Sequence, residues 1–74
     1  MMNIYDYSYY SEEVRDLFDC ELEYQPNSFH GMLAVRKVVY NGEDITEQLD
    51  LETILDIGSK AAKELQEEIE SAFS

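Results

Sequence analysis

Two side chains in the sequence could carry nucleophilic or acid–base chemistry near neutral pH, Cys20 and His30. A thiolate–imidazole pair needs the two within hydrogen-bond reach and a third group to orient the imidazole. The pattern places Cys20 at the start of a strand and His30 in a loop between Phe29 and Gly31, with no orienting partner in view. The single cysteine forms no intramolecular disulfide and reads as a buried thiol. Three isolated glycines make no phosphate-cradling loop. Asn41, Glu43, Asp44 and Glu47 offer oxygens around a turn, but the twelve-residue calcium-loop pattern is absent. The expectation is a non-enzyme with no cofactor and no metal.

The carboxylates are the remaining chemistry. Seventeen acidic residues against five basic ones give a net charge of −12. Such a surface repels nucleic acid and anionic membrane and attracts basic surfaces. Direct nucleic-acid or membrane binding is therefore not expected. One acidic group, Glu12, Glu13, Asp16, Asp19, Glu21 and Glu23, lies in the first third of the chain. A second runs from Glu43 through Asp44, Glu47, Asp50 and Glu52 to Asp56 with no positive residue between. A third, Glu64, Glu67, Glu68 and Glu70, crowds a predicted helix C-terminus, where the helix dipole favours Lys or Arg and where Glu64 and Glu68 repel at i,i+4.

The elements that must carry these groups follow from periodicity. Asp50 to Phe73 reads as one long amphipathic helix. On a helical wheel, Leu51, Ile54, Leu55, Gly58, Ala61, Ala62, Leu65, Ile69, Ala72 and Phe73 share an arc of roughly 120°. Asp50 is its predicted N-cap. Gly58, beside Ala61 and Ala62, marks either a flat patch for close packing or a break capped by Ser59. Tyr5, Tyr7 and Tyr9 alternate as in an edge strand or extended arm. Ser11 to Asp19 predicts a short helix capped by Ser11, with Val14, Leu17 and Phe18 on one face. Cys20 to Gln25 alternates as a half-buried strand ended by Pro26, and Pro26 to Gly31 is a loop. Met32 to Tyr40 predicts a central strand covered on both sides, with Arg36 and Lys37 on opposite faces. Asn41-Gly42 predicts a type I′ hairpin. Beyond it, Glu43 to Thr46 reads as a short third strand, or as a turn in which Asp44 caps and Glu47 completes a capping box.

The expected fold is therefore α+β in two layers. A two- or three-stranded antiparallel sheet is covered by the long C-terminal helix, with a short helix near the N-terminus, as one domain over residues 1–74. No signal-peptide pattern or membrane-length apolar run is visible, and the expected compartment is the cytoplasm.

Carboxylates on a rigid helix and hairpin can imitate rows of phosphates, which in duplex DNA bring one charge per roughly 1.7 Å of axis. In size and composition, though in no sequence motif, the chain resembles phage-encoded inhibitors of restriction, CRISPR or repair enzymes. That resemblance implies a DNA mimic that occupies the basic surface of a nucleic-acid-binding protein. The residues expected to grip the partner are Glu12, Glu13, Asp16, Glu43, Asp44, Glu47, Glu52 and Asp56, supported by exposed tyrosines of the N-terminal run, Tyr5, Tyr7, Tyr9 and Tyr10. The rival expectation is a structural or regulatory interaction module. Such a module would form a homodimer through Gly58, Ala61 and Ala62 or through the edge strand.

Overall fold

A computed structural model describes residues 2–26, 29 and 31–73, the side chain of residue 73 excepted. His30 lies outside the described residues. The chain runs through four strands, β1 (Asn3–Ser11), β2 (Asp16–Tyr24), β3 (Ala34–Tyr40) and β4 (Glu43–Asp44). A 3₁₀ turn at Thr46–Gln48 follows, then helix α1 (Leu51–Phe73). The strands form one antiparallel sheet in the order β1-β2-β3-β4. The α+β expectation stands, but the sheet has four strands rather than two or three.

The predicted helix at Ser11 to Asp19 does not form. Ser11 Oγ accepts from the Val14 amide at 3.3 Å and its carbonyl accepts from the Arg15 amide at 2.7 Å, so one helix-like turn begins. Arg15 then adopts a left-handed conformation, φ 61°, and the chain reverses into β2. From Phe18 onward the apolar residues alternate, and nine residues of β2 pair with nine of β1. That ladder outweighs the local helical preference. Val14 and Leu17, read as part of a helical face, are both exposed.

One face of the sheet builds the core. Tyr9, Phe18, Cys20, Leu22 and Val38 pack against Ile57, Ala61, Ala62 and Leu65 of α1. Tyr9, Phe18 and Tyr40 form an aromatic row, with centroids 6.2 and 5.2 Å apart. β3 reaches this face through a bulge. Leu22 pairs with Val35 and Glu21 with Lys37, leaving Arg36 as the extra residue. Val35 and Val38 can then both point inward. Arg36 and Lys37 consequently do not project to opposite faces. Lys37 lies opposite outward-facing Glu21, and Arg36 reaches Glu21 at 3.8 Å and Glu23 at 3.3 Å. The outer sheet face carries no helix among the described residues, so β3 is covered on one side only.

The hairpin prediction holds. Asn41 and Gly42 have φ of 55° and 82°, the positive values that a type I′ turn needs. Asp44 does not form the predicted capping box. Its Oδ1 accepts from the Thr46 amide at 3.0 Å and hydroxyl at 2.6 Å, while Thr46 Oγ1 accepts from the Val38 amide at 2.7 Å. This turn closes the sheet edge beside β3.

The long helix forms as predicted, and Asp50 caps it by accepting from the Thr53 amide at 3.0 Å. Its buried stripe is rotated from the predicted one. Ile57, left out of that stripe, is fully buried, whereas Leu51 is 71% exposed and Leu55 is also exposed. The rotation follows from Gly58. Its backbone lies against the chain at Met32–Leu33, and its carbonyl accepts from the Leu33 amide at 3.2 Å. A Cβ on Gly58 would stand 2.6 Å from the Leu33 carbonyl oxygen and 2.7 Å from Met32 Sδ. The helix is continuous through this point, so the small residues are a close-packing patch within the chain. They are buried and are not the dimer surface the rival reading offered.

Gly58→Ala should therefore destabilise the protein although alanine favours helix by about 1 kcal/mol. Overpacking of about 1–3 kcal/mol exceeds that gain. Chemical unfolding should show a lower midpoint than wild type. Ile57→Ala should cost about 2–5 kcal/mol by leaving a cavity in a small core.

Candidate binding groove

Between the β1–β2 turn and the start of α1 the surface opens into a groove of about 1070 Å³. Its floor is apolar and aromatic, with Tyr9, Phe18, Tyr40, Ile45 and Leu49. Glu12, Glu13 and Val14 form one wall. Asp50, Glu52, Leu55 and Asp56 form the other. Both walls follow from local sequence. The 12–15 turn projects its glutamates because Ser11 holds it closed, and the Asp50 cap fixes the first turn of α1.

Four of the eight predicted contact residues meet here: Glu12, Glu13, Glu52 and Asp56. The other four do not line the groove. Asp16 is engaged within the fold, accepting from the Leu17 amide at 2.8 Å and the Tyr40 hydroxyl at 3.2 Å. Asp44 holds the turn at Thr46, whose two hydrogen bonds keep its carboxyl below the usual range. Glu43 pairs with Tyr40 on β4, and Glu47 lies on the 3₁₀ turn, both exposed. The groove residues that sequence reasoning missed are Asp50, read only as a cap, and the apolar Val14, Met32 and Leu55, whereas exposed Tyr10 belongs to the N-terminal tyrosine run expected at the contact. Each of these apolar residues is exposed at the groove. For Val14 and Leu55 the helical assignments hid that exposure.

Asp56 has a second role. Its Oδ2 accepts from the Tyr9 hydroxyl at 2.7 Å and pairs with Lys60 at 3.1 Å, and Lys60 also stands 5.4 Å above the Tyr9 ring. These donors, Tyr9 first, lower the Asp56 pKa. The same helix row continues to Glu64 and Glu68. Glu68 and Glu64 lie near Tyr5, and Glu64 lies near Tyr7 as well. Burial, first of all, and then these carboxylates raise all three tyrosine pKa values. Asp56, accepting from Tyr9, and Glu64 and Glu68, as charges near Tyr5 and Tyr7, thus form a tyrosine–carboxylate seam between β1 and α1. The acid at the C-terminal half of α1, which looked unfavourable for a helix alone, has a tertiary use.

Cys20 is buried at the centre of the sheet, and burial pushes its thiol up to about 11. A thiol so held is a poor nucleophile at neutral pH. Among the described residues no group of three His, Cys, Asp or Glu side chains is placed to hold a metal ion. Among them, too, no helix is long and apolar enough to cross a membrane. Compared with protein-family models, curated proteins and solved structures, the chain matches none.

The seam has a pH signature. A tyrosine whose pKa is raised by folding contributes stability that is complete below its unfolded value, about 10. That contribution is lost as pH rises through the folded value. Thermal midpoints should therefore fall steeply above about pH 10. A Tyr5→Phe/Tyr9→Phe double variant should start less stable at pH 7 and lose less between neutral and alkaline pH.

Proposed function

We propose that the protein acts by binding. It occupies the basic, nucleic-acid-contacting surface of a partner protein and keeps nucleic acid from it, as a phage-type inhibitor of a defence or DNA-processing enzyme would. The observation that carries this reading is the groove, an apolar floor rimmed by carboxylates. Glu12, Glu13 and Glu52 enter no ion pair among the described residues, and the one lysine lining the groove, Lys60, is already paired with Asp56. Protein interfaces combine exposed aromatic and aliphatic anchors with a polar rim. Carboxylates held at such a rim suit charge-assisted hydrogen bonds from arginine and lysine. Glu43 and Glu47, exposed beyond the groove, extend the negative field toward the same partner.

The rim and the seam divide the labour between them. Asp16, Asp44 and Asp56 make bonds inside the fold, so replacing them would confound binding with stability. Glu12, Glu13 and Glu52 are exposed and free to meet arginines.

Immobilised protein should draw basic nucleic-acid-binding proteins from an extract of its source cells at low salt. Raised salt and excess duplex DNA should each release them. Glu12→Lys/Glu13→Lys/Glu52→Lys should weaken capture at least about tenfold, since charge pairs at interfaces are worth about 1.5 kcal/mol or more each. Its unfolding midpoint should stay near wild type. Capture of a non-basic partner that ignores both salt and the triple charge reversal would contradict the proposal.

A further inference from the structure

The two edges of the sheet are finished differently. At the β4 edge, two residues of β4 and the Thr46 turn cover β3, with the Ile45 amide donating to the Val38 carbonyl at 2.9 Å and Thr46 Oγ1 accepting from the Val38 amide. At the other edge, β1 presents nine residues in unbroken register with β2, and among the described residues nothing pairs with its far side. Natural edge strands are normally blunted by lysine, proline, a bulge or shortness. β1 has none of these, and its one charged side chain is Asp6. It is also where the acid thins out. Of seventeen acidic residues in the chain, only Asp6 lies before Glu12.

We propose that β1 pairs antiparallel with β1 of a second copy of this chain, joining two four-stranded sheets into one. The strand is self-complementary about Tyr7. In that register Tyr5 faces Tyr9, Asp6 faces Ser8 and Ile4 faces Tyr10. Ile4 and Tyr10 are exposed on the outer sheet face, 43% and 53%, and the pairing brings each against the other twice. A register centred on Asp6 would instead oppose two carboxylates and set Ile4 against Ser8. The seam above the strand agrees with the Tyr7 register. Tyr5, with Glu68 near it, in one copy stands opposite Tyr9 in the other, whose ring carries Lys60. Glutamate of one copy thus approaches lysine of the other. Glu64, beside Tyr7 near the two-fold axis, meets its own counterpart, so moderate salt should favour the pairing. The strand borders the groove, whose lining includes Tyr7, Tyr9, Tyr10 and Lys60, but the pairing does not rest on what the groove binds.

Sedimentation velocity on the full chain over a broad concentration range tests it, with two substitutions at Ser8. Ser8 is exposed and opposes Asp6 twice in the dimer. Wild type should show a reversible monomer–dimer equilibrium. Ser8→Asp should raise its Kd about fivefold or more, since it sets like charges face to face at two cross-strand positions. Ser8→Lys should keep or tighten the dimer, because it places an ammonium opposite Asp6. Circular dichroism should report the same fold for both variants. A monomer at every concentration would overturn the proposal. So would a dimer indifferent to Ser8→Asp, or one that Ser8→Lys weakens as much as Ser8→Asp does.

Discussion

Everything in this small fold depends on how α1 is held to one face of the sheet. Two contacts set it. At Gly58 the helix backbone touches the chain at Leu33, which fixes the rotation of the helix and brings Ile57 rather than Leu51 or Leu55 into the core. Along β1, the Tyr9 hydroxyl donates to Asp56 of the helix, and Tyr5 stands near Glu68. The first contact is steric and local. The second uses the same chemical groups that give the protein its charge. A helix rotated a little the other way would bury Leu55, pull Asp56 away from Tyr9 and close the groove that Leu55 lines.

This division changes the meaning of the acidity. Part of it is structural, with Asp50 capping the helix, Asp44 holding a turn, and Asp56 accepting from Tyr9. Part of it, at Glu12, Glu13 and Glu52, rims an apolar groove and makes no ion pair among the described residues. Only the second part asks for a partner. The proposed recognition would thus draw on carboxylates other than those that stabilise the fold, and substitutions can separate the two.

Where sequence and structure agree, the signal was local. The Asn41-Gly42 turn, the Asp50 cap, the alternating tyrosines of an edge strand and the long helical period each need only a few neighbouring residues. Where they part, the cause is a distant contact. The segment from Ser11 to Asp19 has a helix cap and a plausible helical face, and only the pairing of β1 with β2 shows that Phe18 belongs to an alternating run. The bulge at Arg36 follows from the pairing of Val35 with Leu22, which no window along β3 contains. For the groove, Glu12, Glu13, Glu52 and Asp56 were legible as acid but not as neighbours. The apolar floor between them was hidden, because Val14 and Leu55 had been placed on buried faces.

The Tyr9–Asp56 bond, and not apolar packing alone, fastens β1 to α1. A double-mutant cycle on Tyr9→Phe and Asp56→Asn, read by urea unfolding, isolates that term. A coupling of about 0.5–1 kcal/mol is expected, as befits a charge-assisted bond that is partly exposed. Strictly additive losses, with no coupling between the two sites, would contradict it.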